Sequence, residues 1–314
     1  MAKTDIPLRR KRRKRGKNYS VGGILMKIGY IVNPVAGKKN AARHVPRIEQ
    51  TTKDMGYEAA IYITDRPGDA VEKTAEAVRE GCDVVVAVGG DGTVNEVVNG
   101  LDGISVVMGV IPAGSGNDFS RTLRIPQDFE GALDCILKGR TRTVDVGTVN
   151  GKRFVNVASI GFDTQVVMET NRIKKRIPGP LAYVLGVFKA LTGYKAFDIE
   201  LETKDNIIRK RAALVAVANG MFYGGGMKIA PRAVVDDGLF DVCLVEDMRR
   251  LRILRLFPII YSGRHLLRPE VKYFRTTRIR IECLGGYINS DGEIIGPCPA
   301  DMVLQAGGLV VIVP

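Results

Sequence analysis

The sequence predicts two domains: an α/β domain built as a three-layer, mostly parallel sheet, followed by a β-rich antiparallel domain. Three observations lead there. Between residues 26 and 144, short apolar runs alternate with segments of helical period, the pattern of βα units. From residue 145 onward strand succeeds strand across tight turns, which suits antiparallel pairing. Three times in the first part, an apolar strand runs straight into a glycine-containing loop.

Composition sets the outer limits. A chain of 314 residues, 45% of them apolar, is long enough for two cores. Five cysteines (Cys82, Cys135, Cys243, Cys283, Cys298) are scattered without C-x-x-C spacing. That pattern points to reduced thiols, a cytoplasmic setting and no zinc site. Two histidines, His44 and His265, exclude a histidine-rich metal centre and argue against a Ser-His-Asp triad. The formal charge is +13, yet residues 1–20 hold nine Lys or Arg against one Asp. Residues 1–25 therefore read as a disordered basic arm, with seven consecutive cations from Arg9 to Arg15. No apolar run reaches the roughly eighteen residues that a membrane span needs. Val21 to Ile28 is too short, and too broken by Lys27, to serve as a secretory signal.

The first domain opens with a strand over Ile28–Val32, followed by Asn33-Pro34-Val35-Ala36-Gly37-Lys38. This is no Walker A loop; Asn-Pro and Gly make ordinary turns, but Asn33 and Lys38 could also reach phosphates. A helix follows over about 40–55, with Pro46 as a kink or a second start. Tyr57–Thr64 is the next strand and Asp69–Glu80 the next helix, leaving Thr64 at a strand end where open α/β sheets bind ligands. Asp83–Val88 reads as a buried parallel strand and leads into Gly89-Gly90-Asp91-Gly92-Thr93-Val94-Asn95-Glu96. Val94, Val97, Val98 and Leu101 then fall on one helical face. Glycine permits a tight turn and close approach to the backbone, and the N–H groups opening the helix favour an anion such as phosphate. A carboxylate there, Asp91, is electrostatically awkward unless a cation or a transferable proton is involved. That points to phosphoryl chemistry, against the plainer alternative of a turn with a helix cap. Ser105–Ile111 is a further strand and runs into Pro112-Ala113-Gly114-Ser115-Gly116-Asn117-Asp118-Phe119, where Asp118 reads first as a cap. A helix over Phe129–Lys138 closes the domain.

In the second domain, strands are expected over Val149–Ser159, Phe197–Thr203, Ile207–Ala218, Leu239–Val245, Val271–Phe274, Arg278–Cys283 and pieces of Tyr287–Val313. Two helices, Leu181–Leu191 and the basic amphipathic Leu251–Leu267, interrupt them. The second is expected to pack on a sheet rather than lie on a membrane. Asp236-Asp237-Gly238-Leu239 and Ser290-Asp291-Gly292-Glu293 both read as Asp-Gly turns.

Five ordered elements, N-P-x-x-G, GGDGT-x-N-E, P-x-G-S-x-N-D, D-D-G-L and D-G-E, resemble the diacylglycerol-kinase catalytic-domain family, which includes bacterial lipid kinases and is related to sphingosine kinases. A related GGDGT occurs in NAD kinases. The resemblance covers roughly residues 27–300 and implies an ATP- and Mg²⁺-dependent lipid kinase with its active site in an interdomain cleft. It implies nucleotide contacts from Asn33, Lys38, Thr64, Gly89, Gly90, Asp91, Gly92, Thr93, Val94, Asn95, Gly114 and Ser115. It implies a Mg²⁺ held by Asp237 and the main-chain carbonyls of Val234 and Leu239. Glu293 is the implied general base, with Asp91 organising phosphates and metal; sphingosine-kinase relatives assign the catalytic role to the aspartate at the Asp91 position. The expected partner is a lipid at the membrane surface, with the protein cytoplasmic and peripheral, and no specific nucleic acid; a homodimer stays open. The last strand returns to the first domain in some relatives. A soluble-substrate kinase of the NAD-kinase type is the enzymatic alternative, and nucleic-acid binding through the basic arm the non-enzymatic one.

Overall fold

The computed structural model describes residues 26–39, 41–174, 177 and 180–314, so the expected basic arm lies outside the described residues. The described chain forms two compact units. The first holds residues up to Gly114, Leu123–Thr143 and Leu309–Pro314; the second holds Ser115–Thr122 and Val144–Gly308. The second unit thus begins close to the expected residue 145, but the loop carrying Ser115 groups with it and the C-terminal residues group with the first.

In the first unit the strands are β1 (Lys27–Val32), β2 (Glu58–Ile63), β3 (Val84–Gly89) and β4 (Val107–Pro112). They pair in parallel in the order β4-β3-β1-β2, and Val311 from the chain's end pairs in parallel with Met108 of β4. Between them run α1 (Ala36–Lys39), α2 (Val45–Asp54), α3 (Asp69–Arg79) and α4 (Asp91–Gly100). The short α5 (Asp118–Thr122) follows β4 and belongs to the second unit, and α6 (Phe129–Lys138) completes the first. Pro46 occupies the first turn of α2, where its missing N–H costs nothing; it starts a helix rather than kinking one. Strand β3 is buried throughout, as its unbroken Val-rich run requires of a central parallel strand. Gly29 and Gly109 register with Val85 and Val86, which point to opposite faces. Ala77 of α3 packs over Gly29 and Ile136 of α6 over Gly109, so helices cover both faces.

The second unit starts within β5 (Thr141–Val149), which turns at Asn150-Gly151 into β6 (Lys152–Phe154), then β7 (Val157–Gly161). The expected single strand over 149–159 is therefore a hairpin plus a strand. Asn150 and Gly151 both have positive φ, the primed-turn geometry that an Asn-Gly pair favours. Next come α7 (Phe162–Lys174), α8 (Pro180–Gly193), β8 (Phe197–Thr203), β9 (Ile207–Ala218), β10 (Phe240–Glu246) and α9 (Arg250–Tyr261). Helix α7 is an addition to the two expected helices. The expected 251–267 helix is shorter: Gly263, at φ 71°, ends it and a separate 3-10 turn follows. The chain ends with β11 (Val271–Thr276), β12 (Arg278–Cys283), β13 (Tyr287–Ser290), β14 (Glu293–Pro297) and β15 (Ala300–Ile312). Pairing is antiparallel around β9, which takes β7, β8 and β10 as neighbours. Its alternation divides the interior. Val215 and Val217 join Val242, Leu244, Ile279 and Ile281 in one core, while Leu214, Ala216 and Ala218 join Phe162, Val187 and Ile253 in the other.

Candidate active site

Four loops leave the carboxyl edge of the parallel sheet in the first unit. A row of main-chain bonds ties their starts together: Thr64 N to Val32 O at 2.9 Å, Asn33 N to Val88 O at 3.0 Å, and Ala113 N to Gly89 O at 2.8 Å. Asn33, Thr64, Gly89–Asp91 and Gly114 are thereby brought side by side, about 5 Å per strand. Asn33 donates from Nδ2 to Thr93 Oγ1 at 3.1 Å and accepts from Val35 N, so its side chain joins the loop after β1 to the first turn of α4. Glycine is required where these loops touch. A Cβ on Gly89 would lie 2.4 Å from Thr93 Oγ1, and one on Gly90 would lie 3.1 Å from Gly114 Cα.

The intrahelical ladder of α4 begins with Val94 N donating to Gly90 O at 3.0 Å. The helix N-terminus, with the positive end of the helix dipole, thus lies directly after β3. Asp91 is the first residue of α4 and is half-buried. The Val94 and Asn95 side chains are buried within α4, where Asn95 Oδ1 accepts from Asn99, so both support the helix rather than present side chains at the edge. Thr64 is buried too, and its hydroxyl lies 3.4 Å from Val32 O. The Lys38 side chain lies outside the described residues, and Ser115 is exposed at the start of the segment that groups with the second unit.

Several residues that shape the loops had no such role in the sequence reading. Glu96 accepts from Gly68 N at 2.9 Å and Ala70 N at 3.0 Å, capping α3 and fixing the loop after Thr64. Asp118 is more than a cap: it accepts from Gly225 N at 2.9 Å and Gly226 N at 2.7 Å, holding a glycine loop more than a hundred residues away. Asp145, buried, accepts from Gly238 N and Gly307 N, both at 2.8 Å. Asn219 donates to the carbonyls of Asp145 and Val155. Only their chain separation hides these pairings from the sequence.

In the second unit, Asp291 and Gly292 form the two-residue turn between β13 and β14, both at positive φ (47° and 94°). The Asp291 carboxylate accepts from Val155 N, Asn156 N and Val157 N at 2.8, 3.0 and 2.9 Å. That leaves Glu293 as the exposed acid of the element, first residue of β14 and paired with Ser290. Asp237 accepts from Leu239 N at 3.1 Å and forms an ion pair with Arg275, which also lies 3.5 Å from the buried Asp241. Burial pushes the Asp241 carboxyl upward. Among the described residues no group of three or more His, Cys, Asp or Glu could hold a metal. A Mg²⁺ at Asp237 would rest on one carboxylate, main-chain carbonyls such as those of Val234 and Leu239, and water. Those donors suit the ion in kind, with the Arg275 guanidinium as its competitor.

Glycine-cinched loops on the carboxyl edge of a parallel sheet, with a helix N-terminus among them, define an open-sheet α/β protein, a class that binds its ligands at the strand ends. Comparison with known proteins is more particular. A family model described as the diacylglycerol kinase catalytic domain matches residues 27–149, and one described as the YegS C-terminal NAD kinase beta sandwich-like domain matches residues 156–313. A diacylglycerol kinase of Staphylococcus aureus strain bovine RF122 is 37% identical over 276 residues, covering 87% of this chain and 88% of its own. The diacylglycerol kinase of strain MRSA252 matches to the same extent. A crystal structure from Bacillus anthracis described as a diacylglycerol kinase superposes with a TM-score of 0.71 at 24% identity, covering 93% of this chain and 98% of that one. The chain belongs to the diacylglycerol kinase catalytic-domain family, and it is a kinase. That sets aside the non-enzymatic alternative.

Proposed function

We propose that this kinase uses ATP and Mg²⁺ to phosphorylate a lipid hydroxyl, with a diacylglycerol-like acceptor and a phosphatidate-like product. The observation that carries the reading is the hydrogen-bonded row of loop starts at Asn33, Thr64, Gly89 and Ala113, with Asp91 in the first turn of α4 among them. Amides there receive phosphate oxygens of the donor, and Asp91 orders the phosphates and their metal. When bound, Mg²⁺ supplies positive charge against the charge that develops on the transferring phosphoryl group. Glu293 takes the proton of the acceptor hydroxyl as the γ-phosphorus–oxygen bond to that hydroxyl forms and the bond to ADP breaks. Helix α8 supports a lipid acceptor. Leu181, Val184, Leu185 and Phe188, at i, i+3, i+4 and i+7, are 37–57% exposed, while Val187, Ala190 and Leu191 pack inward. An uncovered apolar face of this kind suits the boundary of a bilayer. No helix among the described residues is long and apolar enough to cross a membrane, and the protein then acts from the cytoplasmic surface.

A second reading, a soluble-substrate kinase of the NAD-kinase type, is favoured by the description of the C-terminal family model. Labelled ATP offered with diacylglycerol, other lipid alcohols, sphingosine and NAD separates the two: label on a lipid alcohol is expected, and label on NAD alone overturns the proposal. Asp91→Asn is expected to abolish transfer with the fold intact; wild-type turnover in that variant would remove the turn from the active site.

A further inference from the structure

Cys283 ends β12 and Cys298 follows β14, so these two thiols stand at either end of the segment that carries the β13–β14 hairpin. The fold brings them together over Gly286. A Cβ added to Gly286 would lie 2.3 Å from Cys283 Sγ and 3.4 Å from Cys298 Sγ, so both sulfurs converge on one small space that only glycine leaves open. Cys298 N donates to Gly286 O at 2.8 Å, which fixes the approach of the second strand end. Cys82, Cys135 and Cys243 are buried, whereas Cys283 and Cys298 are half-buried. These two line an open depression of about 750 Å³, together with Arg209, Lys210, Arg211 and Glu200.

We infer that Cys283 and Cys298 form a dithiol site that hydrogen peroxide closes into an intramolecular disulfide. The neighbouring Cys298 thiol and Gly286 amide pull the Cys283 thiol below the ordinary range, which makes it the attacking member. Its thiolate displaces hydroxide from the peroxide: an S–O bond forms, the O–O bond breaks, and Cys283 becomes a sulfenic acid. While Cys283 is a thiolate, hydrogen bonding to it, then burial and its charge, hold the proton on Cys298 and push that thiol upward. Oxidation removes this hold. The Cys298 sulfur then attacks the sulfenic sulfur, the S–S bond forms, the S–O bond breaks, and the departing hydroxide takes up the Cys298 proton as water. Two thiols and one peroxide give one disulfide and two waters. The depression favours a small neutral oxidant over a charged one, because its cations are engaged: Arg209 with Glu200 at 2.7 Å, Lys210 with Glu246 at 3.4 Å and Arg211 with Asp247 at 3.6 Å.

The test uses the full chain, exposed to hydrogen peroxide and then quenched, denatured, alkylated and digested. Of the five cysteines, three are expected to be alkylated after oxidation, and the peptides bearing Cys283 and Cys298 are expected as one linked species. Reduction should restore both to alkylation. Cys283→Ser and Cys298→Ser should each abolish the linked species, while Cys135→Ser should leave it unchanged. Alkylation of all five thiols after peroxide overturns the inference. So does a linkage that excludes either residue or joins two chains, or stable over-oxidation of Cys283 with Cys298 still free. Because the wild-type map stands alone, misfolding of a variant does not shield the proposal.

Discussion

Asp291 is the sharpest test of how the second unit is held. The residue sits at φ 47°, and its carboxylate accepts three consecutive amides, Val155, Asn156 and Val157. Those residues are 1–3% exposed, so water cannot replace the lost acceptor. Each buried donor left unpaired costs about 1–3 kcal/mol. With some backbone relaxation, Asp291→Ala should cost on the order of 3–6 kcal/mol, plus about 1 kcal/mol for a Cβ held in the left-handed region without a helpful side chain. Asp291→Asn keeps one carbonyl oxygen and tolerates positive φ, but it turns an amino group toward at least one of the three amides. Its cost should be smaller, about 1–3 kcal/mol. Chemical denaturation of the full chain should rank wild type above Asn above Ala. Amide exchange at Val155, Asn156 and Val157 should accelerate most in the Ala variant. An Ala variant within about 1 kcal/mol of wild type, with those three amides still protected, would refute the account.

Four further outcomes follow from the same structure. Asp163 lies in the first turn of α7 with one carboxylate oxygen buried and unpartnered, and burial raises its pKa to about 6 from 3.8. The folded state therefore binds the extra proton between those values, and Asp163 draws stability down as pH rises from about 4 to 6, by about 3 kcal/mol at most. Asp163→Asn should flatten that part of a stability–pH curve, and an unchanged slope would show that Asp163 does not titrate there. Glu293→Gln should lower turnover by about two to four orders of magnitude with ATP binding retained; lost ATP affinity with saturated turnover preserved would make Glu293 a binding group and Asp91 the base. Mg²⁺ should raise the melting temperature of wild type more than that of Asp237→Ala, and still more in Arg275→Gln, where the competing cation is gone; equal shifts in all three would leave Asp237 with a turn and an ion pair only. Deleting residues 1–25 should leave turnover on detergent-dispersed lipid unchanged but weaken it on anionic vesicles at low salt, since each Lys or Arg near such a surface contributes about 1 kcal/mol; equal vesicle activity across a salt series would separate the arm from the membrane.

Much of this fold was legible because its signals are local. The Val84–Gly89 strand and the Asp91–Gly100 helix follow from a β-branched run, a glycine turn and a 3.6-residue apolar stripe within eighteen residues. Strand β9 was read at its observed bounds, and β12 likewise. Local signals also explain the misses. Asn150-Gly151 carries a strong hairpin signature inside an apolar stretch that reads as continuous strand, and α7 has only a weak apolar stripe, because its buried residues meet both a sheet and α8. The loop row of the site was legible as three glycine junctions, yet their spacing in register was not. That depends on strand order β4-β3-β1-β2, which no stretch of chain encodes by itself.

Main-chain bonds mark out several of the acids in and around the motifs as framework. Glu96, Asp118 and Asp291 of the recognisable elements, and Asp145 outside them, are each engaged with two or three main-chain amides. An oxygen so engaged holds loops in place, and taking up a proton would cost it those bonds. They are framework. Asp237 is partnered by a guanidinium, which balances its charge but can be displaced by a stronger cation. Under the proposed function, Asp91 and Glu293 are the motif acids given chemical roles: one lies in the first turn of α4 among the glycine loops, the other is exposed beside the turn that Asp291 holds. A general base must keep its position while its charge changes, and the three amide bonds of Asp291 hold the turn from which Glu293 opens β14.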